Sequence, residues 1–93
     1  MYVKYNPDWL VKLLEEQLPD KTELIEAVRD CRRGVWQTKG YIYFVNPKNA
    51  DLPGEEWQFK ENLIVEDEAR GMVVIDILKD GRVGGLQFVD LRE

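Results

Sequence analysis

The chain has 93 residues, with 13 Lys and Arg against 18 Asp and Glu, one Cys and no His. That length makes one small domain with a thin core, and 44% hydrophobic with 33% charged residues suits a globular chain, not a disordered one. The missing histidine excludes His-based catalysis, the single cysteine excludes an internal disulfide or Cys-rich zinc site, and the net charge of −5 argues against nucleic acid as partner.

Asn6-Pro7-Asp8 predicts a helix start, with a capping side chain, Pro at the first helical position and an acid in the first turn. Leu10, Leu13, Leu14 and Leu18 then recur at helical spacing, with Trp9 and Val11 beside them, until Pro19 ends the run. Asp20-Lys21-Thr22-Glu23 reads as a capping-box-like start of a second helix. Its apolar face is Leu24, Ile25, Val28 and Cys31, and Gly34 is expected to close it. The basic pair Arg32-Arg33 would lower the Cys31 pKa, but a free cysteine on the inner face of a helix is expected to be buried.

After Gly34 the pattern turns to strands. Tyr41 to Val45 is dense in β-branched and aromatic residues; Val35-Trp36-Gln37-Thr38 reads as a strand start or an irregular lead-in. Residues 46–54 form a loop. Trp57-Gln58-Phe59-Lys60 alternates, and Leu63-Ile64-Val65 continues it past a bulge at Glu61-Asn62. Residues 72–78 and 83–89 predict a hairpin around Asp80-Gly81, the favoured pair for a two-residue type I′ turn. That turn sets Leu78 opposite Val83, Ile77 opposite Gly84, Asp76 opposite Gly85 and Val73 opposite Phe88. The expected architecture is a single α+β domain over 1–93. A helical hairpin (6–34) packs on one face of a four-stranded antiparallel β-meander (35–93).

No run approaches the ~20 apolar residues of a membrane span. The start of the chain lacks a signal-peptide pattern, and a free Cys suits a reducing compartment, so a cytoplasmic protein is expected. No motif predicts a catalytic centre, a metal site or a cofactor. Glu66-Asp67-Glu68 lacks the alternating ligands and central Gly of a calcium loop.

The charge has a location. Seven acids (Asp51, Glu55, Glu56, Glu61, Glu66, Asp67 and Glu68) face one base, Lys60, across residues 51–68, a net of −6. The remainder, 11 acids against 12 bases, is almost neutral. An acidic surface with Trp57 beside it would suit a basic protein partner, and the candidate contact residues are Glu55, Glu56, Trp57, Glu66, Asp67 and Glu68. A second candidate surface is the sheet face away from the helices, with Tyr41, Tyr43, Val74, Leu78, Val83 and Val89. It is too apolar for a fully solvated face and suits a homodimer.

The run Val73-Val74-Ile75-Asp76-Ile77-Leu78-Lys79-Asp80-Gly81-Arg82-Val83-Gly84-Gly85-Leu86 resembles the C-terminal hairpin of a bacterial family of very small proteins of unknown function. Gly85-Leu86-Gln87 stands where that family has Gly-Ile-Glu, and no functional residue carries over. In size, acidity and architecture the chain resembles the immunity proteins of bacterial toxin systems. That resemblance implies a non-enzymatic binding protein that occludes the basic cleft of a toxin, with acids in place of substrate phosphates.

Overall fold

A computed structural model describes residues 1–91. It is an α+β fold: two helices lie on one face of a six-stranded, open antiparallel sheet. The elements are β1 (Val3–Lys4), α1 (Asp8–Gln17), α2 (Thr22–Arg29), β2 (Arg33–Thr38), β3 (Tyr41–Tyr43), β4 (Phe59–Asp67), β5 (Gly71–Leu78) and β6 (Val83–Phe88), with a 3-10 turn at Val89–Leu91. The strand order is β1-β2-β3-β6-β5-β4. Among the described residues no helix is long and apolar enough to cross a membrane.

Both helices form where the spacing predicts them, and their apolar stripes face the sheet. Leu10, Val11, Leu14, Leu24, Ile25 and Val28 are buried against Ile42, Val65, Val73, Ile75, Leu86 and Phe88. The Asn6 side chain accepts the Asp8 N–H at 2.9 Å, which helps start α1. The predicted capping box does not form, since α2 begins without a side-chain cap. Gly34 does not close α2 either: that helix ends at Arg29, and Gly34 lies in β2. Cys31 is buried just past α2, its Sγ 3.4 Å from the Ala27 carbonyl oxygen. Burial pushes its thiol up to about 12, so Arg32 does not activate it.

The sheet differs from the expected meander in two ways. It gains β2, which hairpins onto β3, and the two-residue β1, which pairs with β2. In addition, β3 pairs with β6 and not with β4: Tyr41 lies opposite Gln87, Ile42 opposite Leu86 and Tyr43 opposite Gly85. Residues 44–58 therefore cross from the middle of the sheet to its far edge. They cross at the end where β5 turns into β6, tied down by Phe44 N–H to the Gly84 carbonyl (2.7 Å) and Lys79 N–H to the Gln58 carbonyl (2.7 Å).

The β5–β6 turn has three residues, not two. Leu78 N–H donates to the Arg82 carbonyl and Gly81 N–H to the Leu78 carbonyl, both at 2.9 Å. Only Gly81 takes a positive φ (+90°), the geometry of a type I turn closed by a glycine bulge. The Asp80 carboxylate accepts the Arg82 N–H at 3.0 Å and so holds this turn. The extra turn residue places Ile77 opposite Val83. A bulge at Gly84 then restores Asp76 opposite Gly85, and Val73 opposite Phe88 as expected. The two offsets cancel along most of the hairpin, but between them Val83 turns to the helix side and is buried there.

Candidate functional site

The face away from the helices is covered in part by the chain itself. Trp57 is buried at 7% exposure and forms a small second core with Val45 and Leu78, flanked by Tyr41 and Tyr43. Gly84 and Gly85 make room for this layer. A Cβ on Gly84 would lie 2.7 Å from the Trp57 ring, and one on Gly85 would lie 2.5 Å from the Tyr41 hydroxyl oxygen. The bulge turns both positions toward the same face, so two adjacent glycines seat two aromatic side chains.

The crossing loop is held by its own polar groups. The Asp51 carboxylate accepts the Phe59 N–H at 2.7 Å, and the Gln58 amide donates to the Leu52 and Glu55 carbonyls at 2.6 and 3.1 Å. The Glu55 carboxylate accepts from the Asn49 amide at 3.1 Å. Positive φ at Asn49 and Asp51 falls on residue types that tolerate it.

The second candidate surface is thus reshaped. Leu78 is fully buried beneath Trp57, Val83 is on the other face, and Val89 lies past the end of β6 in the 3-10 turn. Tyr41, Tyr43 and Val74 remain half-buried on the outer face. Tyr41 is committed there, because its hydroxyl donates to Asp76 Oδ2 at 3.1 Å.

Asp76 is buried on that same face. Burial pushes its carboxyl above the usual range, against hydrogen bonds from Tyr41 and the Gln87 side chain that favour the ionised form. Burial also raises the Tyr41 phenol, and the neighbouring Asp76 charge adds to this. Ionised Asp76 is therefore the costlier form in the fold. Its stabilising contribution is intact at low pH and is lost as pH rises through the raised folded value. Asp76→Asn should be the more stable protein at neutral pH, and wild type should close the gap as pH falls toward about 4. Urea unfolding of both across that range checks this; a difference that does not change with pH would show that the carboxyl is unperturbed.

The acidic segment does not make one surface. Glu55 and Glu56 lie in the crossing loop, next to the start of β4 at Phe59, which pairs with Leu78. Glu66, Asp67 and Glu68 lie at the other end of β4, where Asp67 pairs with Gly71. The nine-residue strand β4 separates the two groups by roughly 25 Å. Trp57, expected beside the first group as a contact residue, is core.

An aromatic cluster does lie beside the second group, built from residues outside the predicted set. The Arg70 guanidinium joins Asp67 at 3.2 Å and stacks 4.1 Å from the Trp9 ring centroid. Trp9 meets Phe88 (5.8 Å), Phe88 meets Trp36 (6.0 Å) and Trp36 meets Tyr5 (6.1 Å). The Trp9 indole N–H donates to the Tyr5 hydroxyl oxygen at 3.3 Å. Tyr5, Trp9, Trp36, Arg70, Phe88 and Leu91 line an open hollow of about 300 Å³. Trp36 is 43% exposed and Leu91 is 50% exposed. In the sequence Trp36 falls only in the lead-in 35–38, read as a strand start or an irregular segment. Nothing local joins it to Trp9, since pairing through β3 and β6 brings them together.

A wider hollow of about 410 Å³ lies between α2 and the β5–β6 turn, rimmed by Glu23, Glu26, Asp30 and Asp80. Two of these acids are already engaged: Asp80 with Arg82 at 2.7 Å and Glu26 with Arg29 at 3.3 Å. Among the described residues no group of three or more Cys, Asp and Glu side chains is placed to hold a metal ion. No family model, curated protein or solved structure matches the chain.

Proposed function

We propose that the chain is a non-enzymatic protein-binding domain that uses the aromatic end of its sheet. Trp36 and Leu91, with Trp9 and Tyr5 behind them, form the apolar anchor, and the Glu66-Asp67-Glu68 turn supplies charge. The observation that carries this reading is the half-open aromatic hollow directly beside an acidic turn. Contiguous exposed apolar surface rimmed by charge is typical of a contact site. The partner that fits has a basic surface around an apolar projection. Immunity to a bacterial toxin is a concrete role of this kind, with the acidic turn set against a basic cleft. Glu55 and Glu56, at the other end of β4, are not in this contact.

Affinity capture from the host of origin at moderate salt tests the reading. Wild type should retain a basic protein. Trp36→Ala should weaken that complex by about 2 kcal/mol or more, as truncated anchors do, with little change in thermal unfolding. Glu66→Lys with Glu68→Lys should slow association and reduce its salt dependence. Equal capture by wild type and Trp36→Ala, or no basic partner, rejects the proposal.

A further inference from the structure

The aromatic hollow already holds one cation of the chain's own. The Arg70 guanidinium lies 4.1 Å from the Trp9 ring centroid, and Asp67 Oδ2 holds it at 3.2 Å. The face of an aromatic ring carries negative potential, so a flat guanidinium stacks on it and keeps its in-plane N–H groups for a carboxylate. Trp9 is one of four rings here. Phe88, at 4% exposure, is the floor, and Trp36, at 43%, is the most open. Phe88 lies between Trp9 and Trp36, 5.8 Å from one and 6.0 Å from the other, so the two indoles offer separate stacking positions.

The surrounding charge favours a second cation. The turn after β4 carries Asp67 and Glu68 as well as Arg70, and the 3-10 turn that carries Leu91 adds Asp90, whose carboxylate lies against Gly71. With Arg70 paired to Asp67, the charge left on these two segments is negative. A hollow of about 300 Å³ is at the lower end for a ligand pocket and suits one inserted side chain. An aliphatic side chain would leave the ring potential and the acids unused, and the compact ammonium of lysine is more strongly hydrated. Arginine joins an apolar stem to a flat, weakly hydrated head. We propose that the partner's projection into the hollow is an arginine, its stem against Phe88 and Leu91 and its guanidinium stacked on Trp36 as Arg70 stacks on Trp9. This rests on the protein-binding reading above and names the chemistry of the group that enters the site.

Amide and indole NMR titration of the full chain tests it, with N-acetyl-arginine N-methylamide and its citrulline counterpart as probes. Citrulline has the same shape and a neutral urea head. The arginine probe should shift the Trp9 and Trp36 indole signals saturably, in roughly the millimolar range. It should bind about three- to tenfold more tightly than the citrulline probe. Trp36→Leu keeps an apolar wall without a ring and should bring the two probes level, with circular dichroism confirming its fold. Equal binding of the two probes to wild type overturns the proposal. So does an arginine preference that survives Trp36→Leu, or no saturable shift at about 100 mM arginine probe. Each of those results leaves the protein-binding reading standing if capture still depends on Trp36, with a neutral side chain as the anchor. Capture indifferent to Trp36→Ala removes that reading itself.

Discussion

Trp57→Ala should destabilise the fold by about 3–5 kcal/mol, the range for removing a large buried aromatic side chain. Trp57 is the lid of the second core. It lies on Leu78 and Val45 and fills the space that Gly84 leaves open. Its removal exposes Leu78, which is otherwise fully buried, and frees the loop that ties β3 to β4. A domain of this length has a urea dependence near 1 kcal/mol per molar, so the midpoint should fall by roughly 3–5 M. Trp36→Ala serves as the comparison. With its ring 43% exposed it should change stability by no more than about 1 kcal/mol. Equal effects at the two positions would mean that the crossing loop does not seal the outer face.

Gly85→Ala should cost about 3 kcal/mol or more, although a single methyl group is added. The new Cβ would lie 2.9 Å from the Ile42 backbone carbonyl, which cannot swing away as a side-chain tip can. It would also displace the Tyr41 hydroxyl, which is 2.5 Å from that position and bonds to Asp76. Overpacking of this kind costs about 1–3 kcal/mol, and a buried carboxylate that loses a hydrogen bond adds about 1–3 more. Pairing Gly85→Ala with Tyr41→Phe separates the two contributions: most of the hydrogen-bond loss should already be present in Tyr41→Phe alone. If Gly85→Ala unfolds within about 0.5 kcal/mol of wild type, the close seating of Tyr41 on β6 is wrong.

What was readable in the chain was local. Both helices follow from the spacing of leucines and from Pro7 and Pro19, and most of the β5–β6 pairing follows from one turn. Where local rules mislead, two of them compete. Asp80-Gly81 favours a two-residue turn, but the Asp80 carboxylate captures the Arg82 N–H and stabilises the three-residue form. The Gly84 bulge then absorbs the offset, and Val83 changes face while Val73, Ile75 and Leu86 stay where they were expected. The strand β2 was half legible, because Arg33-Gly34-Val35-Trp36-Gln37-Thr38 does not alternate cleanly. The two-residue β1 leaves no periodic trace.

The site was less legible than the fold. Proximity in sequence joined Glu55 and Glu56 to Trp57 and to the Glu66-Asp67-Glu68 turn. A nine-residue strand separates those groups in space, and the tryptophan faces inward. The aromatic hollow gathers Tyr5, Trp9, Trp36, Arg70 and Phe88 from five separate stretches of chain. Only the pairing of β3 with β6, a long-range choice, assembles it.

That pairing has a further consequence for how the molecule comes together. The sheet consists of two ribbons, β1-β2-β3 and β6-β5-β4, each built from neighbours in sequence except for the return to β1. They meet along a seam only three residue pairs long, between strands some forty positions apart. Closing so long a loop for so few hydrogen bonds is slow and entropically costly, whereas the β2–β3, β4–β5 and β5–β6 hairpins close over short turns. The groups that straddle the seam are the ones on which the stability predictions fall: Tyr41 reaching Asp76, and Trp57 laid over Gly84. They clasp the two ribbons on the outer face, while on the other face the helices clasp them by packing on both Ile42 and Leu86.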